Sequence, residues 1–135
     1  MNSGKAVKIE DARVLVVDDE ESIRFSFQFF LKNFGYHVEV ASNIEDAMAL
    51  ISEEEFDAAI IDNIFPQGQN GMDLIAYLND IQPYCQAVLV SGYQKYKSSS
   101  KGGNCRTFAS LLKPVKQEDL LNTVKRAIEE ARRTK

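Results

Sequence analysis

Five polar side chains that are able to do chemistry stand where apolar runs of this sequence end. They are Asp18 and Asp19 after the first run, Asp62 after the central run, Ser91 after the next, and Lys113 after the last. A carboxylate nucleophile, further acids, a lysine and a hydroxyl donor together make a phosphoryl-transfer site, in which the carboxylate attacks phosphorus. The cationic groups and the donor would stabilise the oxygens on which negative charge develops.

The three acids of this set favour a bound metal ion. Two unit charges about 4 Å apart repel by roughly 4 kcal/mol at an effective dielectric constant near 20, and one lysine cannot neutralise three carboxylates. A divalent cation can, and an all-oxygen site with acidic ligands is typical of Mg²⁺, which also takes phosphate as a ligand. Asp18, Asp19 and Asp62 therefore predict Mg²⁺ as the cofactor.

Short runs rich in valine, isoleucine or leucine predict the strands that carry these residues. Such runs are typical of strands buried on both faces of a parallel sheet. An acid at the carboxyl end of a buried parallel strand stands where open α/β sheets bind their ligands. The predicted strands are 13–17, 37–41, 57–62, 86–91 and 107–112.

Amphipathic segments between the strands predict the helices. In the first helix apolar residues recur at helical spacing between Ser22, a candidate N-cap, and Gly35, a favourable terminator. Ser42 to Glu45 matches a capping box at the start of the second helix. A flexible loop over 67–71, a helix over 72–80 and a last helix from 117 to about 132 complete the pattern.

The alternation of strands and helices predicts an α/β fold with a five-stranded, doubly wound parallel sheet. The flavodoxin-like strand order 2-1-3-4-5 is favoured. In that order strands one, three, four and five are neighbours, so the five polar side chains converge. Gln94–Asn104, where the fourth helix would lie, has three serines, two glycines and no apolar stripe, so we expect that helix to be short or irregular.

The composition is that of a globular protein. The chain has 135 residues, enough for one domain, and 44% of them are hydrophobic. The net charge of −4 argues against direct binding of nucleic acid. No apolar run reaches the roughly 20 residues that cross a membrane, and no signal segment begins the chain, so a cytoplasmic location is expected. A single histidine and two cysteines without CxxC spacing argue against a zinc site.

Four motifs of the chain resemble those of a known family. They are Val14-Leu15-Val16-Val17-Asp18-Asp19-Glu20, Asp62 with Pro66 four residues later, Ser91-Gly92, and Lys113-Pro114. With this combination the chain is similar to the receiver domains of bacterial two-component response regulators. The resemblance covers about residues 12–132, which leaves 1–11 as a flexible tail and 133–135 as a C-terminal end or linker stub.

The resemblance implies a role for each site residue. Asp62 would be the phosphoacceptor, Lys113 would pair with the phosphoryl group, and Ser91 would donate a hydrogen bond to it. Asp19 and Asp62 would bind Mg²⁺ directly, and Asp18 would help through a water molecule. The metal ligands would thus be Asp18, Asp19, Asp62 and the main-chain carbonyl of Ile64.

The resemblance also implies a function in phosphorelay signal transduction. The phosphoryl donor would be a phosphohistidine on a sensor histidine kinase or a phosphotransfer protein. The domain would be a switch that assists its own phosphoryl transfer and slow dephosphorylation, rather than a turnover enzyme. An output domain or downstream protein would lie outside this chain. Phe25 and Phe29, which fall off the apolar stripe of the first helix, are expected to contact the donor.

Two departures from the family pattern concern the output face. Ser110 stands three residues before Lys113, where receiver domains usually have Tyr or Phe, and Arg106-Thr107 replaces the usual Gly-Ala. A serine cannot act as the aromatic reporter of phosphorylation. We therefore expect phosphorylation to act by ordering residues 94–104.

Two other classes of protein use similar chemistry. A phosphatase of the dehalogenase type also has a nucleophilic Asp, Mg²⁺ and a lysine, but its first strand typically ends in Asp-x-Asp, whereas Asp18 and Asp19 are adjacent. This class remains the alternative. A flavodoxin-like flavin protein would need a hydroxyl-rich phosphate loop after the first strand, where this chain has four consecutive acids that would repel a phosphate.

Overall fold

A single parallel sheet forms the centre of the molecule in a computed structural model, which describes residues 11–92 and 105–135. Its strand order is β2-β1-β3-β4-β5, which confirms the predicted flavodoxin-like topology. Three strands have the predicted bounds, β3 begins one residue later than predicted, and β5 two residues later. The strands are β1 (Arg13–Val17), β2 (His37–Ala41), β3 (Ala58–Asp62), β4 (Gln86–Ser91) and β5 (Ala109–Leu112).

Four helices are described, and they cover both faces of the sheet. They are α1 (Glu21–Lys32), α2 (Ile44–Glu53), α3 (Gly71–Ile81) and α4 (Gln117–Thr134). Within 11–92 and 105–135, none of them is long and apolar enough to cross a membrane. The predicted irregularity of 94–104, and its ordering on phosphorylation, fall outside the described residues.

Alternating side chains of the strands divide the core between the two faces. Leu15 of β1 and Ile61 of β3 pack with buried residues of α2 and α3. Their neighbours Val16 and Ile60 point to the opposite face and pack with Leu31 of α1 and the apolar stripe of α4. Because β3 is the central strand of the sheet, its last residue, Asp62, lies at the centre of the carboxyl edge.

The starts of two helices differ from the sequence-based expectation. α1 has Glu20 rather than Ser22 at its N-cap position, since the Glu20 N–H donates to Asp18 Oδ1 at 2.9 Å and the helix begins directly afterwards. α2 is capped by Asn43 rather than Ser42, because the Asn43 carboxamide accepts from the Asp46 N–H at 2.7 Å. Both predictions placed the cap one or two residues away from its actual position.

The segment after β3 contains more regular structure than the predicted loop over 67–71. Pro66–Gly68 forms a 3₁₀ turn, and Gly71 already belongs to α3. The Phe65 N–H donates to the Gln69 carbonyl at 3.1 Å, and Phe65 is buried in the core. Asp62 is therefore followed by a short folded loop that returns at once to α3.

The amino-terminal edge of the sheet is held together by Asp57, the residue before β3. Its carboxylate accepts from the Arg132 Nε at 2.7 Å, from a second Arg132 nitrogen at 3.0 Å and from the Arg13 N–H at 2.9 Å. Its main-chain carbonyl accepts from the Gln86 N–H at 3.0 Å. Asp57 therefore joins β1, β3 and β4 to the end of α4.

Candidate functional site

Three carboxylates meet at the carboxyl edge of the sheet, as the strand order predicted. Asp18 and Asp19 follow β1, and Asp62 ends the neighbouring β3. Each offers an oxygen, and these oxygens lie within 4.8 Å of one another. Asp18 and Asp62 are buried, whereas Asp19 is exposed. We call these three residues the acidic cluster.

The main chain around Asp18 is fixed by several hydrogen bonds. Its N–H donates to the carbonyl of Ala41 in β2 at 3.2 Å, and its carbonyl accepts from the Arg24 guanidinium at 2.8 Å. Its Oδ1 accepts from the Glu20 N–H. Its other carboxylate oxygen therefore faces the cluster, where Lys113 lies 3.5 Å away.

Lys113, which follows β5, is the cation of the site. Its Nζ lies 3.3 Å from Asp62 Oδ1 and 3.5 Å from Asp18 Oδ2. Its N–H donates to the Ser91 carbonyl at 2.9 Å, which ties the end of β5 to the end of β4, and its peptide bond to Pro114 is cis. The predicted approach of Lys113 to the acids is present in the structure.

Burial and neighbouring negative charges make Asp18 and Asp62 hold their protons more strongly than isolated carboxyls do. Burial, followed by the charge of Asp18, raises the pKa of Asp62 from 3.8 to about 6, although Lys113 opposes the shift. Burial also raises the pKa of Asp18. Burial would lower the pKa of Lys113, but the charges of Asp18 and Asp62 outweigh it and raise that pKa. Among the described residues, one ammonium group thus leaves negative charge in excess.

An open cleft of about 360 Å³ gives solvent access to the cluster. Asp19, Asp62 and Lys113 line it, together with Ile64, which is 58% exposed. Gly92, the residue after β4, also lines the cleft, whereas Ser91 is not among the described residues that line it. The hydrogen bond from Ser91 to a phosphoryl group, and the carbonyl of Ile64 as a metal ligand, stay predictions.

Two further lining residues escaped the sequence-based assignment. Glu20 and Asn63 each follow an assigned acid and contribute to the wall of the cleft. The Asn63 N–H donates to the Val90 carbonyl at 2.9 Å, which extends the pairing of β3 and β4 past Asp62. Their positions next to Asp19 and Asp62 in the sequence were the available signal for a place in the cleft. Strand periodicity does not extend past the strand ends, so it cannot show which of the neighbouring residues faces the cleft.

The donor set of the cluster fits a hard divalent cation. All three groups are carboxylates, which are preferred ligands of Mg²⁺, and the cleft has room for the waters that Mg²⁺ retains. The excess negative charge around Asp62 supplies the electrostatic reason for binding, since a cation would relieve the repulsion that raises its pKa.

Comparison with known proteins identifies the class. The family model described as the response regulator receiver domain matches residues 14–125, so the chain belongs to that family. A CheY-like receiver domain protein from Methanospirillum hungatei has the same fold, with a TM-score of 0.82, 29% identity, and coverage of 93% of this chain and 99% of that one. The resemblance inferred from the four motifs is thereby confirmed.

The curated relatives are longer than this chain. An NtrX-like response regulator of Rickettsia felis is 30% identical over 118 residues, which are 86% of this chain and 25% of the relative. The DNA-binding transcriptional regulator NtrC of Azospirillum brasilense is 27% identical over 117 residues, 87% of this chain and 24% of the relative. The chain thus spans about a quarter of the length of these relatives.

Proposed function

We propose that this chain accepts a phosphoryl group from a phosphohistidine onto Asp62 in a Mg²⁺-dependent reaction and changes conformation in response. The observation that carries the proposal is the position of Asp62, buried at the end of the central strand, 3.3 Å from Lys113 and within 4.8 Å of two further carboxylates. Membership of the receiver family supports phosphorelay signalling as the process.

The residues of the cleft can perform such a transfer. One oxygen of Asp62 forms a bond to phosphorus while the bond between phosphorus and the imidazole nitrogen breaks, and the electron pair remains on the imidazole. A pKa of about 6 leaves Asp62 mostly as the nucleophilic carboxylate at neutral pH. The Lys113 ammonium is placed to pair with a phosphoryl oxygen, because it already lies against the carboxylate that attacks.

Asp18, Asp19 and Asp62 would hold Mg²⁺, with the Ile64 carbonyl as a further ligand. When bound, the ion would supply positive charge for the oxygens of the transferred group. Ser91, at the end of β4, would donate a hydrogen bond to one of them. These assignments rest on the acidic cluster and on the match of the four motifs to the family.

The donor and the output belong to proteins or domains outside this chain. A sensor histidine kinase or a phosphotransfer protein would supply the phosphoryl group, and an output domain or partner would read the change. The domain would span about residues 12–132 and act in the cytoplasm as a switch that turns over slowly. The match to this chain covers only about a quarter of these relatives, which supports an output outside it.

A stacked pair of phenylalanines on α1 is the proposed contact for the donor. Phe25 and Phe29 are 66% and 61% exposed, and their ring centroids lie 6.2 Å apart. Phe25→Ser with Phe29→Ser should lower transfer from a phosphohistidine donor by about tenfold, since aromatic side chains contribute strongly to interfaces. Phosphorylation by acetyl phosphate should be unchanged. If the variant keeps the wild-type rate with both the phosphohistidine donor and acetyl phosphate, the two phenylalanines do not contact the donor.

Intact-mass measurement after incubation with acetyl phosphate tests the function. Wild type with Mg²⁺ should gain the mass of one phosphoryl group. Wild type in excess chelator, and Asp62→Asn with Mg²⁺, should gain none. Undiminished phosphorylation of either sample would contradict the assignment of the metal or of the acceptor.

A further inference from the structure

Gly71, the first residue of α3, lies against the main chain of Asp62. A Cβ atom on Gly71 would lie 2.1 Å from the Asp62 carbonyl oxygen, 3.1 Å from the Asp62 carbonyl carbon and 2.9 Å from Cγ2 of Ile61. Carbon–oxygen contacts between unbonded atoms are about 3.3 Å or longer. The oxygen belongs to the main chain and cannot rotate away, so this close approach requires glycine.

α3 is held firmly in this position. The Gly71 N–H donates to the Asn63 carbonyl at 2.7 Å, directly after Asp62. The Asn70 side chain caps the helix by accepting from the N–H groups of Met72 and Asp73 at 2.9 and 3.2 Å. The helix also buries Leu74, Ile75 and Leu78 in the core. A side chain at position 71 would therefore displace the end of β3 rather than let α3 move freely.

We propose that Gly71 is a positioning residue for Asp62: its missing side chain lets α3 close on the end of β3 and so sets the direction of the Asp62 carboxylate toward Lys113 and the cleft. The proposal rests on the proposed function of Asp62 as the acceptor. The carbonyl and the carboxylate belong to one residue, so a shift of the carbonyl carries the carboxylate with it. A misplacement of about 1 Å lowers the rate of a well-oriented reaction by roughly 10²-fold.

Gly71→Ala tests the proposal, with Gly68→Ala as the matched control. Gly68 lies in the same loop at a φ of 78°, and a Cβ there would meet nothing within 4 Å. Alanine at position 68 strains the main chain without contacting Asp62. The two variants thus separate loss of stability from displacement of the acceptor.

The measurement is the initial rate of phosphorylation by acetyl phosphate at saturating Mg²⁺ and several donor concentrations. For Gly71→Ala we expect a maximal rate about 10²-fold lower, with the half-saturating donor concentration changed less than about threefold. For Gly68→Ala we expect a maximal rate within about threefold of wild type, although its unfolding midpoint in urea falls. Equal losses in both variants, or a Gly71→Ala rate within threefold of wild type, would overturn the proposal.

Crystal structures of wild type and Gly71→Ala provide a readout that does not depend on phosphorylation. The proposal predicts that the 3.3 Å separation of Lys113 Nζ and Asp62 Oδ1 lengthens by about 0.5 Å or more in the variant. An unchanged separation overturns the positioning role. If wild type accepts no phosphoryl group from any donor, the proposed function fails, while this distance still decides the role of Gly71.

Asn70→Ala covers the case in which Gly71→Ala does not fold, as judged by circular dichroism. It removes the cap of α3 without adding an atom near Asp62, so α3 can loosen at its first turn. We expect a maximal rate about three- to tenfold lower, with an unchanged half-saturating donor concentration. A wild-type rate in folded Asn70→Ala would overturn the proposal.

Discussion

The two ends of the central strand each hold an aspartate, and the two carboxylates differ in how well they are neutralised. Asp57, before β3, is 13% exposed and receives three hydrogen bonds, two of them from one guanidinium. Asp62, at the other end, is 7% exposed and shares Lys113 with Asp18. Burial would raise the pKa of both. At Asp57 the Arg132 guanidinium and the Arg13 N–H outweigh it, whereas at Asp62 the charge of Asp18 adds to it.

Burial alone therefore does not decide whether a carboxylate stabilises the fold or binds a ligand. Asp57 is satisfied by groups of the chain itself, so its charge stabilises the fold. The charge of Asp62 is only partly balanced, so it destabilises the free protein and favours binding of a cation. One end of β3 therefore contributes stability, and the other end is suited to chemistry.

The largest effect is expected for Asp57→Asn. Loss of the charge that faces Arg132, and of the strong hydrogen bonds to it, should lower the free energy of unfolding by about 2–3 kcal/mol. Urea denaturation at pH 7 measures this change. Glu55→Gln is the control, because Glu55 pairs with Lys135 at an exposed position and should contribute less than about 0.5 kcal/mol. Equal effects of the two substitutions would contradict the stabilising role of Asp57.

Asp62→Asn should change stability in the opposite direction and by less. Removal of a poorly neutralised buried charge should raise the free energy of unfolding at pH 7 by about 1–2 kcal/mol, since the lost attraction to Lys113 offsets part of the gain. The same urea experiment without metal measures it. A destabilised Asp62→Asn would mean that Lys113 already neutralises the site, and the contrast between the two ends would disappear.

The pH dependence of stability should show a smaller effect of the same origin. The folded pKa of Asp62 lies near 6 and its ordinary value is 3.8, so between these values the folded state binds more protons. Stability should therefore fall as pH rises, by about 1 kcal/mol between pH 5 and 6. The Asp62→Asn variant should lose most of this pH dependence. The part that remains should come from Asp18, whose pKa is also raised. An equal slope in both proteins would contradict the raised pKa.

Asp57 should act in a different and lower pH range. Its pKa is lowered from 3.8, so its stabilising contribution is present above that value and is lost as the pH falls through the lower folded pKa. The Asp57→Asn variant should therefore be less stable than wild type at neutral pH, and the difference in the free energy of unfolding should disappear only below about pH 4. If this difference in stability disappeared near pH 6 instead, a group other than Asp57 would be responsible for it.

The sequence predicted the acidic cluster better than the ion pair at the opposite end of β3. Asp18, Asp62 and Lys113 follow strands whose apolar runs are strong local signals, and the topology then places them together. The ion pair of Asp57 with Arg132 joins residues 75 positions apart. No periodicity indicates that an arginine late in the last helix reaches the beginning of the central strand, so the sequence predicts Asp57 only as the first residue of that strand.

Local details of single residues were the least predictable. Phe34 fits the apolar stripe of α1, yet it is 46% exposed and packs edge-on against Phe30, because the chain has already left the helix. The choice of Asn43 over Ser42 as a cap depends on which side chain reaches a free N–H. Glycine is needed at position 71 because the main chain of Asp62 lies against it. Neither helical nor strand periodicity indicates this contact between the end of β3 and the start of α3.

Chemical trapping of the acyl phosphate tests the central claim most directly. After incubation with acetyl phosphate and Mg²⁺, borohydride reduces an aspartyl phosphate to homoserine, and peptide mass spectrometry then locates the modified residue. The account predicts homoserine at position 62 in wild type, and in Asp57→Asn at a temperature where that variant is folded. Homoserine at position 18, 19 or 57, or its absence from position 62, would contradict the assignment of Asp62 as the reactive end of the strand.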